Sequence, residues 1–155
     1  MTKIHLRVGP YRSKLATRRL REAAKKTLAH EAFAGDGELA IIITSDEEVQ
    51  ALNRRYRGID APTDVLSFGQ AAAPEPLAPG EPAYLGDVLI SYPRARTQAK
   101  AAGHATADEL VLLVIHGVLH LLGHDHVRRN DKRKMWAAQA VVLREMGARV
   151  SLTKA

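Results

Sequence analysis

The chain has 155 residues, 46% of them apolar, which is enough for a domain with a hydrophobic core and too apolar for a disordered segment. It has no cysteine, which excludes disulfides and thiolate metal sites and leaves His, Asp and Glu to hold any metal. A formal net charge of +6 favours polyanionic partners, nucleic acid among them.

Residues 1–20 contain no apolar h-region, so no signal peptide is expected. Ile4, Leu6 and Val8 alternate with polar residues and predict a half-buried strand, which Pro10 ends. Leu15, Leu20, Ala24 and Leu28 predict an amphipathic helix from Arg12 to Ala32, broken by Gly35 and Gly37. Its basic residues (Arg12, Lys14, Arg18, Arg19, Arg21, Lys25, Lys26) read as a solvated face or as a track for a phosphate backbone. Leu39 to Ile43 predicts a strand. Ser45 with Glu48 forms a capping box for a helix carrying Val49, Leu52 and Tyr56.

Asp64 to Phe68 predicts a strand, and Ala71 to Ala83, rich in proline, a flexible surface loop. Leu85 to Ser91 is the next strand. Pro93 suits the first turn of a helix ending near Gly103, and Thr106 with Glu109 caps a long helix. Asp131 to Met146 is a last helix, ending at Gly147. Three helices cluster after the last strand. We therefore expect one domain over 1–155 with an α+β fold, a small mixed sheet of about four strands packed against about five helices. Leu110 to Gly123, the longest apolar stretch, is too short for a bilayer and carries two histidines, so a cytoplasmic protein with no membrane contact is expected.

Four of the seven histidines fall between His116 and His126, a window where uniform scatter would put about 0.5. His116 and His120 are one helical turn apart and project from one face, a spacing that suits two imidazoles on one Zn²⁺. Gly123 can end the helix and let the chain bring a third ligand back. That ligand is His126 or His124; His124, one residue past Gly123, has less room to turn. Three protein ligands leave a position open, as in a catalytic zinc site. Asp125 either orients a ligand histidine or is solvated. Metzincin proteases share H-x-x-x-H-x-x-G-x-x-H but place their general-base Glu where this chain has Gly117.

HGVLHLLGHDH (His116 to His126) resembles the H-G-x-L-H-L-x-G-Y-D-H signature of the YbeY family of rRNA maturation endoribonucleases. LNRRYRGIDAPTDVLSF (Leu52 to Phe68), LGDVLIS (Leu85 to Ser91) and RTQAKAAGHATADELVLLVIHG (Arg96 to Gly117) resemble further family segments in the same order. The chain departs from the pattern at His124 (tyrosine in the motif), Ile59 (often lysine) and Gly69 (proline), and its last helix opens with basic RNDKRK. The resemblance implies an α+β fold with the zinc site on a central helix, and one Zn²⁺ per chain held by His116, His120 and His126. It also implies that Arg57 is needed for activity. The implied function is single-strand-specific endoribonuclease action in small-subunit rRNA 3′-end maturation and ribosome quality control. The implied partners are single-stranded RNA, the small ribosomal subunit, ribosomal proteins and GTPase assembly factors. Two other functions fit parts of the pattern: an assembly factor with structural zinc, and a zinc hydrolase of another substrate, which Gly117 disfavours.

Read without the resemblance, Arg57 is a solvated arginine at a helix end, Asp64 and Asp87 are turn residues at strand starts, and Trp136 is a packing residue.

Overall fold

The computed structural model describes residues 2–33, 36–69 and 83–151. Four strands, β1 (Lys3–Arg7), β2 (Gly37–Thr44), β3 (Val65–Gly69) and β4 (Ala83–Ser91), form one sheet in the order β1-β2-β4-β3. β1, β2 and β4 run parallel, and β3 is antiparallel to β4. Five α-helices accompany them: α1 (Thr17–His30), α2 (Asp46–Arg57), α3 (Tyr92–Ala102), α4 (Thr106–Leu121) and α5 (Arg129–Glu145). This is the α+β architecture expected from the order of elements. The proline-rich stretch expected as a loop lies outside the described residues, except Ala83, which already pairs with Gly37 and opens β4.

The sheet divides the interior by the two-residue period of its strands. Leu39, Ile41 and Ile43 of β2, with Val88 and Ile90 of β4, face the main core. Leu89 and Ile42 point the other way, where Leu66 and Val49 of α2 close a smaller cluster. α4 is the hub of the main core and touches α1, α3, α5, β3 and β4. Leu110, Val111, Val114, Ile115, Val118 and Leu119 are buried around most of its circumference. A helix apolar on nearly all sides has to be covered on nearly all sides. His116 and His120, both partly exposed, therefore mark where the covering is interrupted, whereas Glu109 is a polar group inside it.

Several helix boundaries differ from the sequence reading. Residues Gly9–Lys14 form a 3-10 turn with Pro10 at its start, so α1 begins at Thr17. α1 stops at His30 without glycine: Ala32 takes a φ of 53°, and Phe33 N–H donates to the Leu28 carbonyl at 3.0 Å. Gly37 is the first residue of β2, not a helix breaker. Ser45 Oγ accepts from Glu48 N–H at 3.2 Å, but the Glu48 carboxylate takes the Thr44 hydroxyl, so only the serine half of the capping box forms. Thr106 is the first residue of α4, not its cap, and Glu109 reaches His104. α2 buries Val49 and Asn53, while Tyr56 is 59% exposed. Asn53 Nδ2 donates to the Ala61 carbonyl at 2.9 Å and anchors the loop into β3. No helix among the described residues is long and apolar enough to cross a membrane.

Candidate metal centre

α4 sets the first two imidazoles. His116 and His120 lie one turn apart with ring centroids 4.7 Å apart and Nε2 atoms 3.2 Å apart. The helix then stops in a double hydrogen-bonded cap. Gly123 takes a φ of 96°, its N–H donates to the His120 carbonyl at 3.0 Å, and His124 N–H donates to the Leu119 carbonyl at 3.0 Å. A side chain with a Cβ is strained at that φ, which is why glycine suits the turn. Asp125 Oδ1 accepts from His126 N–H at 2.7 Å and from Val127 N–H at 3.1 Å. Asp125 thus holds the backbone turn that returns His126 to the first two rings, with centroids 5.5 Å and 5.0 Å away. One ring nitrogen from each of the three histidines lies within 4.8 Å of the others.

His124 faces elsewhere. Its Nε2 pairs with Glu31 just past α1 and ties the turn to the body of the fold.

Two residues of α5 complete the centre, and the sequence reading did not assign either to it. Buried Gln139 accepts through Oε1 from His116 Nδ1 at 3.0 Å, which leaves His116 Nε2 bare and facing the other rings. Trp136 meets His116 and His126 at steep angles, with centroids 5.7 Å and 5.9 Å away. Lys132 Nζ lies 5.6 Å from the Trp136 ring centre, so the basic start of α5 brings a cation beside the site. The signal for Gln139 was weak but present: it is a polar residue among the buried Met135, Ala138 and Val142.

Burial lowers the pKa of His116. Burial, followed by the neighbouring His116 and His126, lowers that of His120 to about 4. Both rings are therefore neutral at pH 7, the form that donates a lone pair to a cation. For tetrahedral Zn²⁺ with Zn–N of roughly 2.0–2.1 Å, two ligand nitrogens lie about 3.3–3.4 Å apart. The His116–His120 separation of 3.2 Å fits that donor set.

The same shifts give the metal-free protein a pH dependence. Their folded-state pKa values lie below the ordinary 6.5. The unfolded chain therefore binds protons, as pH falls below that value, that the folded chain refuses, at His120 down to about 4. Native stability is full above this window and drops as pH falls through it. Between pH 7 and pH 5, the melting temperature of the metal-free wild type should fall a few °C more than that of His120→Leu. Equal losses in calorimetry would remove this explanation.

Arg57, at the end of α2, donates from Nη2 to the Ser67 carbonyl of β3 at 3.1 Å, with its guanidinium carbon 6.0 Å from the Phe68 ring centre. Ser67 Oγ in turn donates to the Gly117 carbonyl at 3.0 Å. A chain of contacts thus joins Arg57 through β3 to the residue after His116. A Cβ on Gly117 would lie 2.5 Å from Val88 Cγ1 and 3.2 Å from Ser67 Oγ, so this side of α4 rests directly on the sheet. Asp64 behaves as a turn residue, accepting from Val65 N–H at 2.8 Å. Asp87 does not: it lies within β4 and accepts the Tyr84 hydroxyl. On the basic stretch before and along α1, Arg19 pairs with Asp108 and Arg21 donates to the Ile4 carbonyl, so part of that stripe is engaged within the fold.

The family model for endoribonuclease YbeY matches residues 9–147. An endoribonuclease YbeY from Roseiflexus sp. is 44% identical over 143 residues, covering 90% of this chain and 89% of the relative. One from Dehalococcoides mccartyi is 47% identical over 126 residues, covering 76% and 73%. The fold is similar to the solution structure of TM1509 from Thermotoga maritima, with a TM-score of 0.58 and 31% identity over 94% of this chain and 89% of that one.

Proposed function

The chain belongs to the endoribonuclease YbeY family, and on that premise we propose that it is a zinc-dependent endoribonuclease cutting single-stranded RNA during 3′-end maturation of small-subunit rRNA. The observation that carries the metal part of this reading is the convergence of three ring nitrogens within 4.8 Å. In this reading His116, His120 and His126 hold one Zn²⁺, and the all-nitrogen donor set leaves a coordination position open. When bound, zinc lowers the pKa of water and polarises a phosphoryl oxygen.

The chain's own residues prepare that chemistry. Gln139 fixes the tautomer of His116, and Trp136 screens one flank of the histidines from water. Arg57 offers a guanidinium for the charge that grows on the phosphoryl oxygens as the bond breaks. Tyr56, exposed beside Arg57 and edge-on to Phe68 at 5.4 Å, offers an aromatic surface to an unstacked base. Unpaired bases can use such a surface and bases in a duplex cannot, which favours a single-stranded substrate. The excess of Lys and Arg draws in the RNA backbone. We read residues 1–155 as one domain acting in the cytoplasm, in ribosome maturation and quality control, with ribosomal proteins and GTPase assembly factors as partners.

The main hydrophobic core is built without the histidines, which supports a catalytic zinc over a structural one. Arg57→Ala is expected to keep its zinc and its melting temperature and to lose about 10²–10³-fold in cleavage of a single-stranded rRNA fragment. Cleavage at the wild-type rate would remove Arg57 from the mechanism.

A further inference from the structure

The α4 stripe that ends in the metal centre carries another polar group two turns earlier. Glu109, Leu113, His116 and His120 follow one another at spacings of four, three and four, so they share one face. Against that face α3, α4 and α5 enclose a cleft of about 780 Å³. His116, Trp136 and Gln139 line it near the metal centre, and Glu109, His104 and Gln98 line it further along. Glu109 and His116 are separated by about 10.5 Å of helix rise.

The far end is organised rather than open. Ser151 N–H donates to His104 Nδ1 at 3.0 Å, so His104 Nε2 carries the proton and donates to Glu109 Oε2. With its amide turned so that the nitrogen faces the two carboxylates, the orientation that satisfies both its ends, Gln98 donates to Asp64 Oδ2 at 3.1 Å and to Glu109 Oε1 at 3.2 Å. Glu109 is only 5% exposed, so these groups hold its carboxylate in one orientation. No lysine or arginine is among the described residues lining the cleft, although the chain has 23 of them. Two carboxylates without a cation on the lining repel a phosphate. They favour a neutral ligand that presents N–H donors, and Ala101, Leu112 and Ala137 supply apolar walls for a flat ring. The volume falls within the roughly 300–1,000 Å³ of small-molecule sites.

We propose that this cleft is a nucleobase subsite, taking the base beside the bond that is cut and selecting bases with an exocyclic amino group over uracil. The proposal rests on the RNA-cleaving reading above. The free lone pairs of Asp64 and Glu109 accept from the amino group of adenine, cytosine or guanine. Uracil offers these carboxylates only its N3–H, and the carbonyl oxygens on either side of it face the carboxylate oxygens with no proton between them. The carboxylate end takes the base, and the phosphodiester stays at the histidine end, beside His116.

Trp136 is the only tryptophan, so its emission reports on the cleft without any cleavage. Zinc-loaded protein is titrated with adenosine, cytidine, guanosine and uridine, which carry no phosphate. The first three are expected to change the emission at concentrations about tenfold below uridine. Glu109→Gln turns one of the two acceptor oxygens into a donor without changing the shape and should bring the four nucleosides together. Asp64→Asn makes the same test where Glu109→Gln does not fold. No response to any nucleoside, or an equal response to all four in the wild type, overturns the subsite even if the protein cuts RNA. A base-selective response in a protein that cuts no RNA supports the cleft and removes the nuclease reading instead.

Discussion

His120→Ala is expected to lose bound zinc and RNA cleavage together while keeping its fold. His120 supplies one of three convergent nitrogens, and its ring is half-exposed at the rim of α4, so truncating it removes a ligand without opening the core. Two imidazoles cannot replace three, and the fall in zinc affinity should exceed the roughly 10–100-fold loss typical of removing a ligand's supporting partner, as in Gln139→Leu. The same reasoning orders the two neighbouring histidines. His126→Ala should lose zinc, because the Asp125 turn delivers that ring to the cluster. His124→Ala should keep it, because that ring is paired with Glu31. Metal analysis and cleavage of a single-stranded rRNA fragment, run in parallel, check all three. Cleavage that persists in zinc-free His120→Ala would belong to a contaminant or another site, and the assembly-factor reading would take the lead.

Gly117→Glu is expected to unfold the protein rather than turn it into a protease. The substitution restores the residue that metzincins use as a base, so from the motif alone it looks like a gain of function. The structure gives the opposite answer. The first added carbon would lie 2.5 Å from Val88 Cγ1, where α4 rests on β4. Overpacking of this kind costs about 1–3 kcal/mol, and a carboxylate without a partner in a packed interface adds several more. Against a typical total stability of about 5–15 kcal/mol, that is a large share. Gly117→Ala separates the two effects. It overpacks without adding charge and gains about 1 kcal/mol of helix propensity, so it should be mildly destabilised and still bind zinc. A soluble Gly117→Glu protein with the wild-type melting temperature would show that the helix can lift from the sheet.

Much of the centre was legible in the sequence because it is local. His116, His120 and Gly123 lie within eight residues, and helix periodicity with one glycine stop is enough to bring them together. The strands were legible for the same reason, from alternation and β-branched runs. Gln139 and Trp136 were not, because they belong to another helix, and their facing His116 depends on how α5 packs on α4. Tyr56 misled because it keeps the spacing of an apolar face but lies in the last turn of α2, where it is exposed. Thr106 and Glu109 made a plausible capping box, but Glu109 instead found His104, a partner upstream of the helix.

The strand order β1-β2-β4-β3 also bears on when the metal centre can form as the chain is made. Among the described residues β4 is the last strand in chain order, yet it lies between β2 and β3, so a growing chain cannot complete this sheet before residue 91 has been made. α4 then needs that sheet as its floor, and His116 needs Gln139 of α5, which comes later still. The centre is therefore complete only once α5 has been made. A chain synthesised only as far as α4 carries no finished centre.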